Sequence, residues 1–479
     1  LVCLTLFLAN HHTRAQVHLK IIKNMSNHLV SRTLLCAVLL ASCSSKAPLA
    51  DLTVIPPGAV SDKVDLDLRC GITNDTDTDQ VYYVELSTKN QVLFSEKVEV
   101  NSDDVWSYKQ VVPAGTLTGN IDLTLKVKGA DGTFRKTEKI TVLPSKDRSI
   151  HRITGAWSGI CHWSEIEGKH WNADIKKLTD DQWREMVRSM HKLGLDFIVI
   201  QEVFRNEEYV GKHNTTPENY QGKAYYPSAL YPGRMEITAK DPLEAIFSEA
   251  DKLGMKVMPG VGLFAWFDFT RESLDWHKNV AQELWDIYGH HPSFYGFYVS
   301  EESGGSLDNW EWTEEKRQMR RDQIVDFMKE FKSFCRSLAP AKPIMLATNS
   351  FGVKGAEPTY ERMLQYLDIL CPFGFARMPE GDITGKEAAD ILQALCDKAG
   401  AHFWFDQEVF LFNEDNSLYP RDIEGIIKDL NLLDNFEKVL CYQYPGVFSD
   451  PSSKFRVGEP KTVKLFNDYQ NYLKSLDNE

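Results

Sequence analysis

Residues 178–200 read LTDDQWREMVRSMHKLGLDFIVI, and within them one hydrophobic period gives way to another. Trp183, Met186, Val187, Met190 and Leu193 recur at three- and four-residue steps, so they form one apolar stripe on a helix. Thr179 and Gln182 have the spacing of a capping box at its start, and Gly194 stops it before the apolar run 197–200 begins a strand. The design returns downstream. Asp241 caps, Pro242 takes the first helical position, Leu243, Ile246, Phe247, Ala250 and Leu253 make the stripe, and Gly254 ends it. A chain that repeats this unit is committed to parallel strands covered by helices. Strand patterns occur at 153–160, 197–204, 256–264, 294–300, 343–350, 368–375, 402–409 and 439–444, each followed by a helical pattern, the last at 462–473. Eight such units predict a (β/α)8 barrel over 150–479. The alternative, a doubly wound open sheet, lacks a GxGxxG or GxxxxGK signal at its first turn.

The segment before the barrel has a different pattern. Ile121, Leu123, Leu125 and Val127 alternate with polar residues, the period of a sheet with one wet face, and Ala130-Asp131-Gly132 turns the chain into its return. Runs at 64–72, 81–86, 92–100 and 105–112 complete a small all-β sandwich of immunoglobulin-like size over 62–147. It carries no convergent set of acids, histidines or cysteines, so it reads as a spacer or packing partner ahead of a carbohydrate-binding module. Residues 44–61 are rich in Ala, Pro and Ser and read as a tether. Before them, Arg32 and the short apolar run 34–40 suit a signal peptide and are too short for a membrane span. Residues 1–24, which do not open on Met, read as an over-extended start.

The whole chain has 479 residues, of which 43% are hydrophobic and 25% charged, values that suit a globular protein of two domains. Its net charge of −14 and its lack of a Lys/Arg cluster argue against nucleic acid as a partner. Apart from Cys3, Cys36 and Cys43, the cysteines at 70, 161, 335, 371, 396 and 441 show no metal-type spacing and read mostly as small buried hydrophobes, with one disulfide left open. No cofactor is implied.

Barrel enzymes work at the C-terminal ends of their strands, and here those ends are acidic. The second strand ends in Gln201-Glu202, the third runs on to Trp266 and Asp268, and the fourth ends in Glu301-Glu302. The fifth ends in Asn349, the seventh in Asp406-Gln407-Glu408, and the eighth carries Tyr442 and Gln443. Side chains alternate along a strand, which decides between neighbours. With Phe297 and Val299 turned to the helices, Gly296, Tyr298, Ser300 and Glu302 face the barrel axis, so Glu302 is preferred over Glu301. With Phe403 and Phe405 outward, His402, Trp404, Asp406 and Glu408 face inward, and Glu408 stands at the mouth. Trp157, Trp163, Trp266, Trp404 and Tyr442 offer flat faces for sugar rings, and Tyr298 has a hydroxyl to orient a nucleophile.

Acids at the tips of strands four and seven resemble the large clan of retaining glycosidases built on (β/α)8 barrels. The GFYVSEE segment, the Leu40-Ala41-Ser42-Cys43 lipobox and the preceding sandwich resemble a family of bacterial lipoprotein barrels grouped with glycosidases. The resemblance implies Glu302 as acid/base, Glu408 as nucleophile, a carbohydrate substrate, and Cys43 as a lipidated anchor to a bacterial membrane in the cell envelope. One departure from the clan is Glu301, where its members carry Asn before the acid. Two other readings remain open. A metal-dependent hydrolase would use His162, His213, His290, His291 or His402 with Asp268 or Asp406, although HxH and HExxH spacings are lacking and His290-His291 lies at the wrong end of the barrel. A surface protein that binds glycan without cleaving it is the other.

Overall fold

The structure is a computed structural model that describes residues 49–477, apart from 131, 206, 207, 211, 214, 232, 264, 266, 309, 310 and 312. The expected leader, the lipobox with Cys43, and Trp266 lie outside the described residues.

The expected tether needs correction over residues 50–61, which form β1 (Ala50–Ile55) and β2 (Gly58–Ser61). Ala50, Leu52 and Val54 point into the front core, while Asp51 turns the other way to pair with Lys136 and, at 2.6 Å, with Lys342 of the barrel. A strand covered on both faces therefore carries an alternation that reads as a loose polar segment. The other front strands are β3 (Asp65–Asn74), β4 (Gln80–Ser87), β5 (Val92–Val100), β6 (Asp104–Pro113), β7 (Gly119–Gly129) and β8 (Gly132–Leu143). They form two sheets, β1-β3-β6 and β2-β8-β7-β4-β5, around one apolar core.

The remainder is a parallel barrel. Its strands are β9 (Ile153–Trp157), β10 (Phe197–Ile200), β11 (Lys256–Pro259), β12 (Phe297–Ser303), β13 (Ile344–Thr348), β14 (Ile369–Leu370), β15 (His402–Glu408) and β18 (Lys438–Tyr442), with the hairpin β16 (Phe410–Phe412) and β17 (Leu418–Pro420) inserted. They pair in ring order, and β11 meets β12 through the bridges Val257–Phe294 and Gly260–Tyr298 rather than a continuous ladder. The principal helices are α1 (Asp180–Lys192), α2 (Pro242–Leu253), α3 (Arg271–Tyr288), α4 (Glu314–Leu338), α5 (Glu357–Met363), α6 (Gly385–Ala399), α7 (Ile423–Leu432) and α8 (Lys461–Leu476). Thr179 and Gln182 make the expected capping box of α1, and Gly254 ends α2 at a φ of 69°. Most strands are shorter than the sequence pattern suggests, β14 most of all. Their C-terminal residues leave the ladder to form the loops of the mouth.

The front domain closes the other end. Ile55 enters the barrel's interior cluster beside Phe197, Tyr295 and Trp404, and the Tyr295 hydroxyl donates to the Val54 carbonyl at 2.9 Å. Around this plug runs a buried ionic chain: Arg69 meets Asp67 and Asp368 at 3.0 Å each, while His402 meets Asp67 at 3.2 Å and Glu437 at 2.6 Å. Burial opposes ionisation of these groups, yet Arg69 and Lys332 hold Asp368 well below the usual carboxylate range. Against the same burial, Glu437 and Asp67 raise His402 to about 9. Contact is so close that a Cβ on Gly71 would lie 2.8 Å from the Ala341 nitrogen. The sheet thus acts as a stopper, which fits a packing partner. Removing one member of a buried ionic chain leaves the others uncompensated. Arg69→Met is therefore expected to cost about 3–5 kcal/mol, and Ile55→Ala about 2–5 kcal/mol, measured by chemical denaturation. Wild-type midpoints in both variants would show that the seal is not structural.

Candidate active site

The open end of the barrel holds a cavity of about 200 Å³. Its floor comes from inward residues of the strands: Trp157 on β9, Tyr298 on β12 and Asp406 on β15. Trp157 and Tyr298 pack edge to face with centroids 5.8 Å apart. The expected alternation is present on both decisive strands. Phe297 and Val299 belong to the outer core with Phe403 and Phe405, whose rings pack on Phe436 at 4.5 and 4.7 Å.

Above the floor stand Glu302 and Glu408, both lining the cavity. Burial, together with the charges of Glu167 and Glu408 and against Arg377, raises the Glu302 carboxyl to about 7. Burial also raises Glu408, but Arg377 opposes it directly, with its Nε donating to Glu408 Oε1 at 2.7 Å. Arg377 is positioned by the faces of Phe351 and Phe373, 5.2 and 5.9 Å from its guanidinium carbon. Asp406, deeper than either, is pushed well above the carboxylate range by burial and then by Glu408 and Glu302. Two acids at one rim thus differ in environment because a single cation is bonded to one of them.

Two charged groups in the lining were not singled out from sequence. Glu167, in the loop after β9, is raised to about 7, chiefly by burial, and faces His162 Nε2 at 3.6 Å. Arg377 lies just beyond β14, and a lone cation past a strand end is a weak signal that could have drawn notice. Phe373, Phe410 and Phe412 add aromatic wall beside the expected Trp163 and Tyr442. Gln201, noted only as a strand end, accepts from the Tyr442 hydroxyl at 3.0 Å.

Other expected site residues are placed elsewhere. Glu301 points away from the cavity, accepting the Leu263 N–H at 3.2 Å and so ordering the loop after β11. Burial and the nearby Asp268 hold it well above the usual range, which makes it a neutral bracket. Asp268 caps the turn into α3 by accepting from the Thr270 N–H and hydroxyl at 3.2 and 2.5 Å. Asn349 Oδ1 accepts from the Gly305 and Phe351 N–H groups at 2.8 and 2.9 Å. Trp404 lies one layer below the cavity, edge-on to Phe197 at 5.2 Å. Gln443 is buried outside the lining, as is Glu202, whose carboxyl is raised to about 8 by burial against Arg205. Glu301, Asp268 and Asn349 share one physical cause: a polar group at a strand end accepts backbone N–H groups as readily as it meets substrate. The six cysteines are all buried and free, so the disulfide left open by sequence does not form among the described residues.

Fold and mouth together define a parallel β/α barrel with a carboxylate-lined cavity at its C-terminal end. Within that class, the chain belongs to the family described as Domain of unknown function (DUF4434), which matches residues 153–455. No curated protein matches it in sequence. Among solved structures, a candidate α-L-fucosidase of Bacteroides thetaiotaomicron is 16% identical, with a TM-score of 0.47 over 67% of this chain and 93% of that one. A β-glucuronidase of Bacteroides uniformis is 11% identical, with a TM-score of 0.41 over 88% of this chain and half of that one. A β-galacturonidase of Eisenbergiella tayi is 13% identical, with a TM-score of 0.39 over 89% of this chain and 72% of that one. Likenesses this distant assign neither substrate nor residue roles.

If Asn349 is a loop bracket, Asn349→Ala strands two N–H groups and is expected to cost about 1–3 kcal/mol of stability while leaving ligand affinity within about threefold. Thermal melts and binding titrations check both. Lost affinity at unchanged stability would return Asn349 to the site.

Proposed function

We propose that the protein is a glycoside hydrolase that cleaves an oligo- or polysaccharide by a two-carboxylate mechanism, with Glu302 as acid/base and Glu408 as nucleophile. The observation that carries this reading is that both acids line one cavity while Arg377 is bonded to Glu408 alone. Hydrolysis needs one carboxyl that keeps its proton and one that stays ionised. Glu302 gives its proton to the glycosidic oxygen as the C–O bond breaks, and ionised Glu408, its charge partly offset against burial by Arg377, attacks the anomeric carbon. Glu302 then takes a proton from water, whose oxygen displaces the sugar from the Glu408 ester. Trp157, Trp163, Tyr442 and Phe412 supply apolar faces for sugar rings. Retention of configuration follows from this scheme, and the anomeric form of the first product, followed by NMR, tests it.

The non-catalytic glycan binder gains no specific support, and the metal-dependent hydrolase is not favoured: His402 is tied into the seal, no histidine among the described residues lines the cavity with Asp406, and His213 meets Asp268 at 3.7 Å outside that lining. The front domain is read as immunoglobulin-like because its first, third and sixth strands share one sheet and its second, eighth, seventh, fourth and fifth the other. Attachment at Cys43 to a bacterial membrane is proposed from the lipobox alone. Fatty-acid labelling of the expressed protein should be lost in Cys43→Ser, and labelling that persists rejects this anchor.

Glu302→Gln and Glu408→Gln should each lower hydrolysis about 10²–10⁴-fold with little change in melting temperature, whereas Glu301→Gln should stay within about fivefold of wild type. Glu302 acts only while protonated, so turnover should fall as pH rises through about 7. It should also fall in acid, where Glu408 takes up a proton. A panel of aryl glycosides and polysaccharides provides the assay, and near-normal turnover in both Gln variants rejects the assignment.

A further inference from the structure

At the opposite end of the barrel, Glu244, His290 and His291 each offer a ligand atom, and the three atoms lie within 4.8 Å of one another. We propose that these three side chains form a binding site for a divalent metal ion of the zinc type, unrelated to the chemistry at the mouth. His291 is the centre of the arrangement. Its Nδ1 meets Asp251 Oδ2 at 2.6 Å, which leaves Nε2 directed at Glu244 Oε2, 3.0 Å away. A carboxylate behind one imidazole nitrogen is the usual device for fixing the ring and raising the donor strength of the other. Asp251 is itself held, accepting the Ser293 N–H at 2.9 Å.

The supporting frame is rigid. Glu244 and Asp251 are seven residues apart on α2, so both project from the same helix face, two turns from each other. Between them Phe247 stacks beneath the His291 ring at 5.3 Å, and Phe294 stacks on Phe247 at 5.5 Å. His290 and His291 follow the end of α3, and their rings lie 4.1 Å apart. His290 Nδ1 is buried and makes no side-chain hydrogen bond among the described residues, with the Ile287 backbone as its neighbouring polar group. Two imidazoles and one carboxylate are the donor set that borderline divalent ions such as Zn²⁺ favour over Mg²⁺ or Ca²⁺, with water completing a tetrahedron. A crevice of about 770 Å³, lined by Asp251, His290 and His291, gives an ion its path in.

The site is tested on the purified full chain, freed of any affinity tag and stripped with chelator, by calorimetric titration with ZnCl₂. One Zn²⁺ per chain is expected, with affinity falling at least tenfold in His290→Ala and in Glu244→Gln, neither of which touches the His291–Asp251 bond. Zinc should raise the wild-type melting temperature and leave that of both variants unchanged. Glu302→Gln should bind zinc like wild type. Absence of stoichiometric uptake means that His291 simply bridges two carboxylates, and uptake unaffected by both variants places zinc elsewhere; either result overturns the proposal.

Discussion

The interaction on which the barrel most depends lies far from its mouth, where Ile55 and the chain Arg69–Asp67–His402–Glu437 stop its N-terminal end. A (β/α)8 barrel must fill its own interior with layers of side chains, and its N-terminal face serves stability rather than chemistry. Here another sheet contributes to that filling through Ile55. Because charges of both signs are paired inside the joint, their desolvation is offset only while every member is present. The front sheets and the barrel are therefore joined in one hydrophobic and ionic unit.

Strand β15 shows how one alternation divides labour along its length. His402 binds the stopper, Trp404 fills the core, Asp406 makes the floor of the cavity and Glu408 its rim, each two residues further up the same inward face. Successive inward positions on a strand are about 6.6 Å apart, so a seven-residue segment spans seal and mouth. On β12 the adjacent acids take opposite duties. Glu302 faces the cavity, and Glu301 accepts the Leu263 N–H behind it.

These two strands also mark what was legible in the sequence. The βα repeat, the caps at Thr179 and Gly254, and the inward or outward sense of Phe297, Phe403 and Phe405 follow from short-range periodicity, and the structure has them. β1 escaped because its polar face meets Lys136 and Lys342, partners 85 and 291 positions away, which no local pattern encodes. Asp268 and Asn349 carry the residue types of a binding site but accept backbone N–H groups of the mouth loops, Asp268 from Thr270 and Asn349 from Phe351 and from Gly305 in the loop after β12. Glu167 and Arg377 went unnoticed because they belong to loops outside the strand ladder, where periodicity has nothing to say.

The layer of Phe197, Met258, Tyr295 and Trp404, each at most 2% exposed, separates the floor of the mouth from the stopper. The barrel is thus a blind well. Any proton, water molecule or solute that exchanges with Asp406 must enter and leave by the same doorway, past Glu302, Glu408 and Arg377.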